Sequence, residues 1–181
     1  MYYLSIDIGG TTFSSGVFDE KLNCINKSSL GYISECDSSK EGLIESISNQ
    51  IKKIYLDLEI KKEHIFGVGV SCPGPLDIDS GRILDTPNLK QFANFNIKDE
   101  LNKLLDIPVC INNDANLFAL GEWYSSFSEV DNLVGITLGT GLGLGIVLNK
   151  QLYLGSHKMA AEYGISPNNQ RGTWEDLLSI R

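Results

Sequence analysis

The sequence contains too few basic residues to form a nucleic-acid-binding surface. Its 15 lysines and arginines are outnumbered by 23 aspartates and glutamates, which gives a net charge of −8. Binding to nucleic acids or to anionic membranes requires a basic surface that displaces counterions. We therefore expect no nucleic-acid partner and no membrane partner, and an anionic ligand would have to be held locally by backbone amides and a metal ion.

The sequence also lacks long apolar runs and paired cysteines. No run approaches the length of a membrane-spanning helix, and the chain does not begin with a basic and then an apolar segment. The four cysteines form no Cys-x-x-Cys pair, so we interpret them as reduced thiols, with Cys72 and Cys110 in core strands. These absences predict a cytoplasmic protein of ordinary globular composition, 42% hydrophobic over 181 residues.

Alternating strand and helix patterns predict an α/β fold. Apolar residues alternate on both sides of the glycines at 9 and 10, which predicts a β-hairpin with these glycines at its tip. A helical repeat over 43–58, preceded by a capping box at Ser38 and Glu41, predicts a long amphipathic helix. Residues 73–88 are rich in proline, glycine and aspartate, which predicts an extended loop. We expect a first lobe over residues 1–115 and the beginning of a second lobe over 116–181.

Gly9 and Gly10 form the first of two turns that suit a phosphate group. Backbone amides without side-chain bulk make a concave site for oxyanions. Asp7, Thr11 and Thr12 add oxygen atoms that can hold hydrated Mg²⁺ beside the phosphate. A glycine pair between strands is also an ordinary hairpin turn, so a purely structural role stays open. The segment is not a Walker loop, because it lacks the Gly-Lys-Ser/Thr ending and leads into a strand.

A second glycine-rich turn, Gly139–Gly143, lies between two further strands. It offers backbone amides in the same way, and two such turns suggest a protein that holds a nucleotide polyphosphate from two sides. The glycines alternate as far as Gly145 and so share one face of a hairpin. Close packing of another backbone on that face is the alternative explanation. Their spacing does not match the Gly-x-Gly-x-x-Gly of dinucleotide-binding folds.

Asn113 and Asp114 end a predicted strand and begin a predicted helix. Such junctions are where open α/β sheets place their chemistry, and a positioned carboxylate can act as a general base in phosphoryl transfer. An aspartate at a helix start is also a common N-cap, and this structural role stays open.

Five motifs in one order resemble the ROK family, which comprises repressors, open reading frames and sugar kinases. The motifs are Asp7-Ile8-Gly9-Gly10-Thr11-Thr12, Ser71-Cys72-Pro73-Gly74-Pro75-Leu76-Asp77, Thr86-Pro87-Asn88-Leu89, Asn113-Asp114-Ala115-Asn116 and Gly139-Thr140-Gly141-Leu142-Gly143. The resemblance implies an actin/hexokinase-like (ribonuclease H-like) ATPase fold, with a complete N-terminal lobe and the start of the second lobe.

The resemblance also assigns roles to individual residues. It implies that Asp7 positions Mg²⁺ through water and that Asp114 is the catalytic base. Phosphate binding falls to the two turns, at Gly9, Gly10, Thr11, Thr12, Gly139, Thr140 and Gly141. Sugar binding falls to Gly74, Asn88, Asn113, Asp114, Glu162 and Glu175. The implied cofactors are ATP and Mg²⁺.

Two departures from the family pattern affect these expectations. Ile165 stands where many members have a sugar-contacting histidine, and residues 166–173 contain none of the cysteines that bind structural zinc in those members. We therefore expect no zinc site. Family members are also much longer, so we expect this chain to be a fragment or a truncated product in which the second lobe is incomplete.

The expected activity is ATP-dependent phosphorylation of a hexose or amino-sugar hydroxyl, with a homodimer left open. The isolated chain would be a poor catalyst. A second hypothesis is a non-catalytic sugar-binding or sugar-sensing protein. A DNA-binding repressor is disfavoured because the first strand starts at residue 2, which leaves no room for a helix-turn-helix before it. A third hypothesis, an actin-like filament or chaperone ATPase, is disfavoured by the residues assigned to polyol binding.

Overall fold

The chain divides into two compact units in the structure, which is a computed structural model. It describes residues 1–10, 12–27, 31–32, 39–169 and 172–180, with no side-chain description for residues 31, 32, 87 and 88. The units cover residues 1–113 and 114–181, whereas the sequence-based boundary follows residue 115. Within the described ranges, no helix has the length and apolar character needed to cross a bilayer.

The first unit is built on a mixed β-sheet. Its strands are β1 (Tyr2–Ile8), β2 (Thr12–Phe18), β3 (Cys24–Lys27), β4 (Gly31–Tyr32), β5 (Ile65–Cys72), β6 (Leu76–Asp77), β7 (Arg82–Ile83), β8 (Phe95–Asn96) and β9 (Val109–Asn113). The main sheet has the order β3-β2-β1-β5-β9, and β4 also pairs with β2. Strands β1 and β2 form the antiparallel hairpin that the sequence predicts. Strands β1, β5 and β9 run parallel, so their carboxyl ends share one edge.

Two helices, α1 (Lys40–Asp57) and α2 (Ile97–Leu105), also contribute buried side chains to this unit's core. The buried face of α1 carries Leu43, Ile47, Ile51 and Ile54, which join the same core cluster as alternate residues of β1, β5 and β9. The apolar repeat therefore predicted the helix correctly. Its cap differs from the prediction, because the Ser39 hydroxyl accepts the Gly42 amide at 2.9 Å. Ser38, Cys36 and Thr11 lie outside the described residues.

The segment after β5 is more ordered than the extended loop that its composition predicts. Strands β6, β7 and β8 form a small antiparallel sheet. The Asp77 carboxylate accepts hydrogen bonds from the Ser80 hydroxyl and the Asp79 amide, which closes the β6–β7 turn. Both lower the pKa of Asp77, with the Ser80 hydroxyl as the largest cause. Aspartate in a turn can therefore order a polar loop, which composition alone does not reveal.

The second unit begins with helix α3 (Asp114–Ser126) and a β-hairpin. Its strands are β10 (Leu133–Leu138), β11 (Leu142–Leu148) and β12 (Gln151–Leu152), and a short helix, α4 (Trp174–Leu178), follows. Helix α3 packs on the glycine face of the hairpin. A Cβ added at Gly145 would lie 2.5 Å from the Ala115 carbonyl oxygen and 2.6 Å from the Ala119 Cβ. The packing explanation for the alternating glycines is therefore correct for this position.

Candidate functional site

Several predicted site residues of the first unit lie at the carboxyl edge of its parallel strands. Asp7 lies near the end of β1, and its turn, Gly9 to Thr12, joins β1 to β2. Asn113 is the last residue of β9 and pairs in register with Cys72, the last residue of β5. The carboxyl edge is where α/β sheets bind ligands, so strand direction accounts for the grouping.

Asp7 belongs to a polar row that the sequence analysis missed. Strand register places Ser14 of β2 and Ser71 of β5 beside Asp7, and Asn112 of β9 beside Ser71. Residues paired across a sheet share a face, so these four side chains lie on the face opposite the buried Ile6 and its neighbours. Period-two alternation identifies each position as facing away from the core, but only the register joins them into one row.

The first glycine turn is tight. The Gly9 amide donates to the Thr12 carbonyl at 2.7 Å, and a Cβ on Gly9 would lie 3.3 Å from the same oxygen. This geometry meets the requirements of an ordinary hairpin turn. Whether the turn also binds phosphate through Gly9, Gly10 and Thr12 stays a prediction, and Thr11 lies outside the described residues.

The residues around Asp7 fit a hydrated Mg²⁺ ion better than an ion held entirely by protein ligands. Asp7 is exposed, and hydroxyl and amide oxygens lie beside it in the polar row. In the described part of the chain, no three acidic, histidine or cysteine residues cluster closely enough to hold a metal ion by themselves. Mg²⁺ usually keeps several waters and takes one or two carboxylates plus substrate phosphates, which suits a lone aspartate.

The two loop residues assigned to sugar binding follow β5. Gly74 lies between β5 and β6, and the main chain of Asn88 lies in the short 3₁₀ helix Pro87–Phe92. The Pro75 carbonyl accepts the Leu84 amide at 3.1 Å, which ties the two ends of this loop together. The side chain of Asn88 lies outside what the structure describes, so its role stays a prediction.

In the second unit, Asp114 is the first residue of α3, directly after β9. One carboxylate oxygen accepts the amide of Ala115 at 2.8 Å. Because α3 packs on glycines at the level of Ala115, the backbone that carries Asp114 is fixed by contacts between main chains. The predicted strand-to-helix junction is confirmed.

The second glycine turn joins β10 to β11, and several of its backbone groups are already bonded. The Gly139 amide donates to the Gly141 carbonyl at 3.0 Å, and the Gly139 carbonyl accepts the Ile180 amide at 2.7 Å. The Leu142 amide donates to the Glu175 carboxylate at 3.1 Å. Among the described residues, none accepts a hydrogen bond from the amides of Thr140 or Gly141. Two successive amides without acceptors are the arrangement that binds oxyanions.

Three carboxylates of the second unit interact electrostatically. The pKa of Glu162 is raised, first because surrounding protein partly removes its solvation, then by the negative charges of Asp114 and Glu175. Much of the Glu162 side chain still contacts solvent, so we use the direction of this shift and derive no energy from it. The structure therefore groups three of the predicted site residues, Asp114, Glu162 and Glu175, in one unit.

The backbone before Glu162 has an unusual conformation. Ala161 has φ of +69°, which a residue with a Cβ seldom adopts, and the Tyr163 amide donates to the Ala161 carbonyl at 2.7 Å. This sharp turn leads into Glu162. The sequence offers no sign of it, because alanine has no preference for the left-handed region.

Taken together, the features define an α/β protein with two glycine-containing hairpin turns and a carboxylate at a strand-to-helix junction. The sequence model of the ROK family matches residues 3–173. The chain belongs to the ROK family, and its fold is the actin/hexokinase-like fold.

Three relatives illustrate the range of functions in the family. The chain is 34% identical to a glucokinase of Thermotoga maritima, over 91% of this chain and 51% of the relative. It is 33% identical to an N-acetyl-D-glucosamine kinase of Vibrio cholerae, over 91% of this chain and 52% of the relative. It is also 33% identical to a xylose repressor of Caldicellulosiruptor bescii, over 69% of this chain and 31% of the relative. The chain spans about half the length of the kinases it matches.

A solved structure of a kinase has the same fold. The ROK glucokinase from Streptomyces griseus, crystallised with glucose and AMPPNP, superimposes with a TM-score of 0.80 at 28% identity. The match covers 99% of this chain and 57% of the glucokinase. The fold predicted for this chain is therefore confirmed.

Proposed function

We propose that this protein is part of, or constitutes, an ATP-dependent kinase that phosphorylates a hydroxyl group of a hexose or amino sugar. The observation that carries the proposal is Asp114, a carboxylate at a strand-to-helix junction, in the same unit as a glycine turn and two further carboxylates. Relatives named glucokinase and N-acetyl-D-glucosamine kinase support the reaction and leave the sugar open.

In this proposal Asp114 is the general base. The sugar hydroxyl oxygen forms a bond to the γ-phosphorus of ATP, the bond from that phosphorus to the bridging oxygen breaks, and ADP leaves. Asp114 takes the hydroxyl proton, a role worth roughly 10²–10⁴ in rate. The main-chain contacts that hold α3 support this role, because a base must be positioned before its pKa matters.

ATP would be bound at its phosphates by the two glycine turns. The proposed phosphate-binding residues are Gly9, Gly10, Thr11 and Thr12 in one segment and Gly139, Thr140 and Gly141 in the other. Asp7 would hold Mg²⁺ through water, and the bound ion would neutralise charge on the phosphates. The amides of Thr140 and Gly141, which have no acceptor among the described residues, support this assignment for the second turn.

The sugar would be bound through its hydroxyl groups. Asn113 would bind one hydroxyl, and Gly74, Asn88, Glu162 and Glu175 are the remaining candidates. Carboxylates and amides discriminate strongly against analogues that lack a hydroxyl, because the protein group is then left unpaired. Ile165 replaces a histidine contact of many relatives and is 63% exposed, so the preferred sugar need not be that of the kinases it resembles.

The test is a kinase assay with a panel of hexoses and amino sugars, ATP and Mg²⁺. It uses the protein at the full length at which its native cells produce it. We expect ADP release that depends on one sugar or a few related ones. Asp114→Asn should lower kcat at least 100-fold and leave the Kd for the sugar within a few-fold. Glu129→Gln, which removes a carboxylate from a loop of the same unit, is the matched control. Sugar-independent ATP hydrolysis, or full turnover by Asp114→Asn, would contradict the proposal.

A non-catalytic sugar-binding protein is the second candidate. It is favoured by the similarity to a xylose repressor. Sugar binding measured by calorimetry without ATP, combined with no phosphorylation of any sugar in the panel, would select this candidate.

A further inference from the structure

Glu175 is hydrogen-bonded to the second glycine turn, although the family resemblance assigns it only a role in sugar binding. Its Oε2 accepts the Leu142 amide at 3.1 Å. A Cβ on Gly141 would lie 2.9 Å from the same oxygen, so the carboxylate lies directly against the turn. A residue that contacts only the sugar would need neither feature.

The helix that carries Glu175 is anchored on its own. Thr173 and Asp176 form a capping box at the start of α4, with the Asp176 carboxylate 2.9 Å from the Thr173 amide. The Trp174 amide donates to the Ser166 carbonyl at 3.1 Å, and the Trp174 ring stacks on Tyr163 with centroids 5.8 Å apart. Glu175 therefore extends from a backbone that is fixed on both sides.

The chain after α4 makes a second contact with the same turn. The Ile180 amide donates to the Gly139 carbonyl at 2.7 Å. Glu175 thus holds the end of the turn at Leu142, and Ile180 holds its beginning at Gly139. The amides of Thr140 and Gly141 lie between these two bonds and point to no described acceptor.

We propose that α4 braces the Gly139–Leu142 turn for phosphate binding and that Glu175 is the positioning residue of this brace. The inference rests on the proposed nucleotide-binding function of the turn. Phosphate binding by successive amides requires a fixed backbone conformation, and a turn containing glycines does not fix one by itself. The brace supplies the missing constraint.

The carboxylate charge makes the proposal testable by a conservative variant. Glu175→Gln keeps an oxygen that accepts the Leu142 amide and removes a negative charge beside a turn that would hold an anion. Glu175→Ala removes both the acceptor and the charge. If Glu175 acts as a brace, Glu175→Gln should behave like the wild type. If its negative charge is required, Glu175→Gln should be as impaired as Glu175→Ala.

The first experiment measures hydrogen exchange of backbone amides by NMR in this chain and does not depend on activity. Glu175→Ala should accelerate exchange at Leu142 about tenfold or more, while exchange in α3 stays unchanged. Glu175→Gln and the control Glu129→Gln should resemble the wild type. Unchanged exchange at Leu142 in Glu175→Ala would overturn the brace. If Glu175→Ala does not fold, Ile180→Pro replaces it, because proline removes the amide that donates to the Gly139 carbonyl. Exchange of the Gly139 amide, which donates to the Gly141 carbonyl, should then accelerate.

The second experiment measures steady-state kinetics on the sugar that the wild type phosphorylates. Glu175→Ala should raise KM for ATP about tenfold, and Glu175→Gln should restore KM for ATP. A rise in KM for the sugar in both variants, with KM for ATP unchanged, would overturn the positioning role. If the wild type phosphorylates no sugar, the proposed function fails, and the exchange experiment still decides whether the brace exists.

Discussion

Replacing Gly145 by alanine tests the contact that holds α3, and therefore Asp114, on the hairpin. The added Cβ would lie 2.5 Å from the Ala115 carbonyl oxygen, 2.6 Å from the Ala119 Cβ and 3.0 Å from the Asn116 Cα. Ordinary contacts to a Cβ are about 3.4 Å or longer, so α3 must move away from the hairpin by several tenths of an ångström. Two of the three obstacles are backbone atoms, which no rotamer change can relieve.

Overpacking typically costs about 1–3 kcal/mol, and we expect Gly145→Ala to approach the upper end, about 3 kcal/mol. Urea unfolding followed by circular dichroism measures the change. Gly121→Ala is the matched control, because a Cβ there meets nothing within 4 Å. Gly121 lies inside α3, where alanine is favoured by about 1 kcal/mol, so this variant should be more stable than the wild type. A loss below about 0.5 kcal/mol in Gly145→Ala would refute the backbone-on-backbone contact.

Three further predictions concern a pH dependence, a helix cap and a turn. Glu162→Gln should stabilise the protein at pH 7 and have little effect below pH 4.5. Because the pKa of Glu162 is raised in the folded state, the stability of the wild type falls as pH rises from the ordinary pKa of 4.5 through the raised one. Urea midpoints of both proteins measured from pH 4 to pH 8 test this, and parallel curves for wild type and variant would contradict it. Ser39→Ala should cost about 1 kcal/mol by loss of the bond to the Gly42 amide, whereas Ser39→Asp should retain most of the stability; equal unfolding curves for both variants would mean that Ser39 is no cap. Gly141→Ala should accelerate exchange at Leu142 by displacing the Glu175 carboxylate, and a second substitution, Glu175→Ala, should add little to that effect; additive effects would show that the two positions are independent.

The parts of the fold that follow from local patterns were predictable. The β1–β2 hairpin, the apolar face of α1 and the start of α3 after Asn113 each depend on periodicity or on neighbouring residues in the chain. The cap at Ser39 was missed because only Ser38 has a glutamate three residues later, whereas the residue three positions after Ser39 is Gly42. The β6–β7 turn was missed because it depends on the Asp77 side chain rather than on composition.

The candidate site was predictable only as separate motifs. Nothing in the chain around Ser14, Ser71 or Asn112 indicates that they share a row with Asp7, since the row exists only through the register of four strands. The contact of Glu175 with Leu142 joins residues 33 positions apart, and no local rule connects them. Long-range pairing of this kind is a property of the folded chain.

The left-handed backbone at Ala161 restricts which amino acids can precede Glu162. Every residue with a Cβ is strained at φ of +69°, and the strain is largest for side chains branched at that carbon. In a library of all substitutions at position 161, selected for folding, glycine and asparagine should therefore be enriched over alanine, and valine and isoleucine should disappear. The set of amino acids accepted at position 161 would then report the backbone conformation there, although the alanine side chain is only a methyl group.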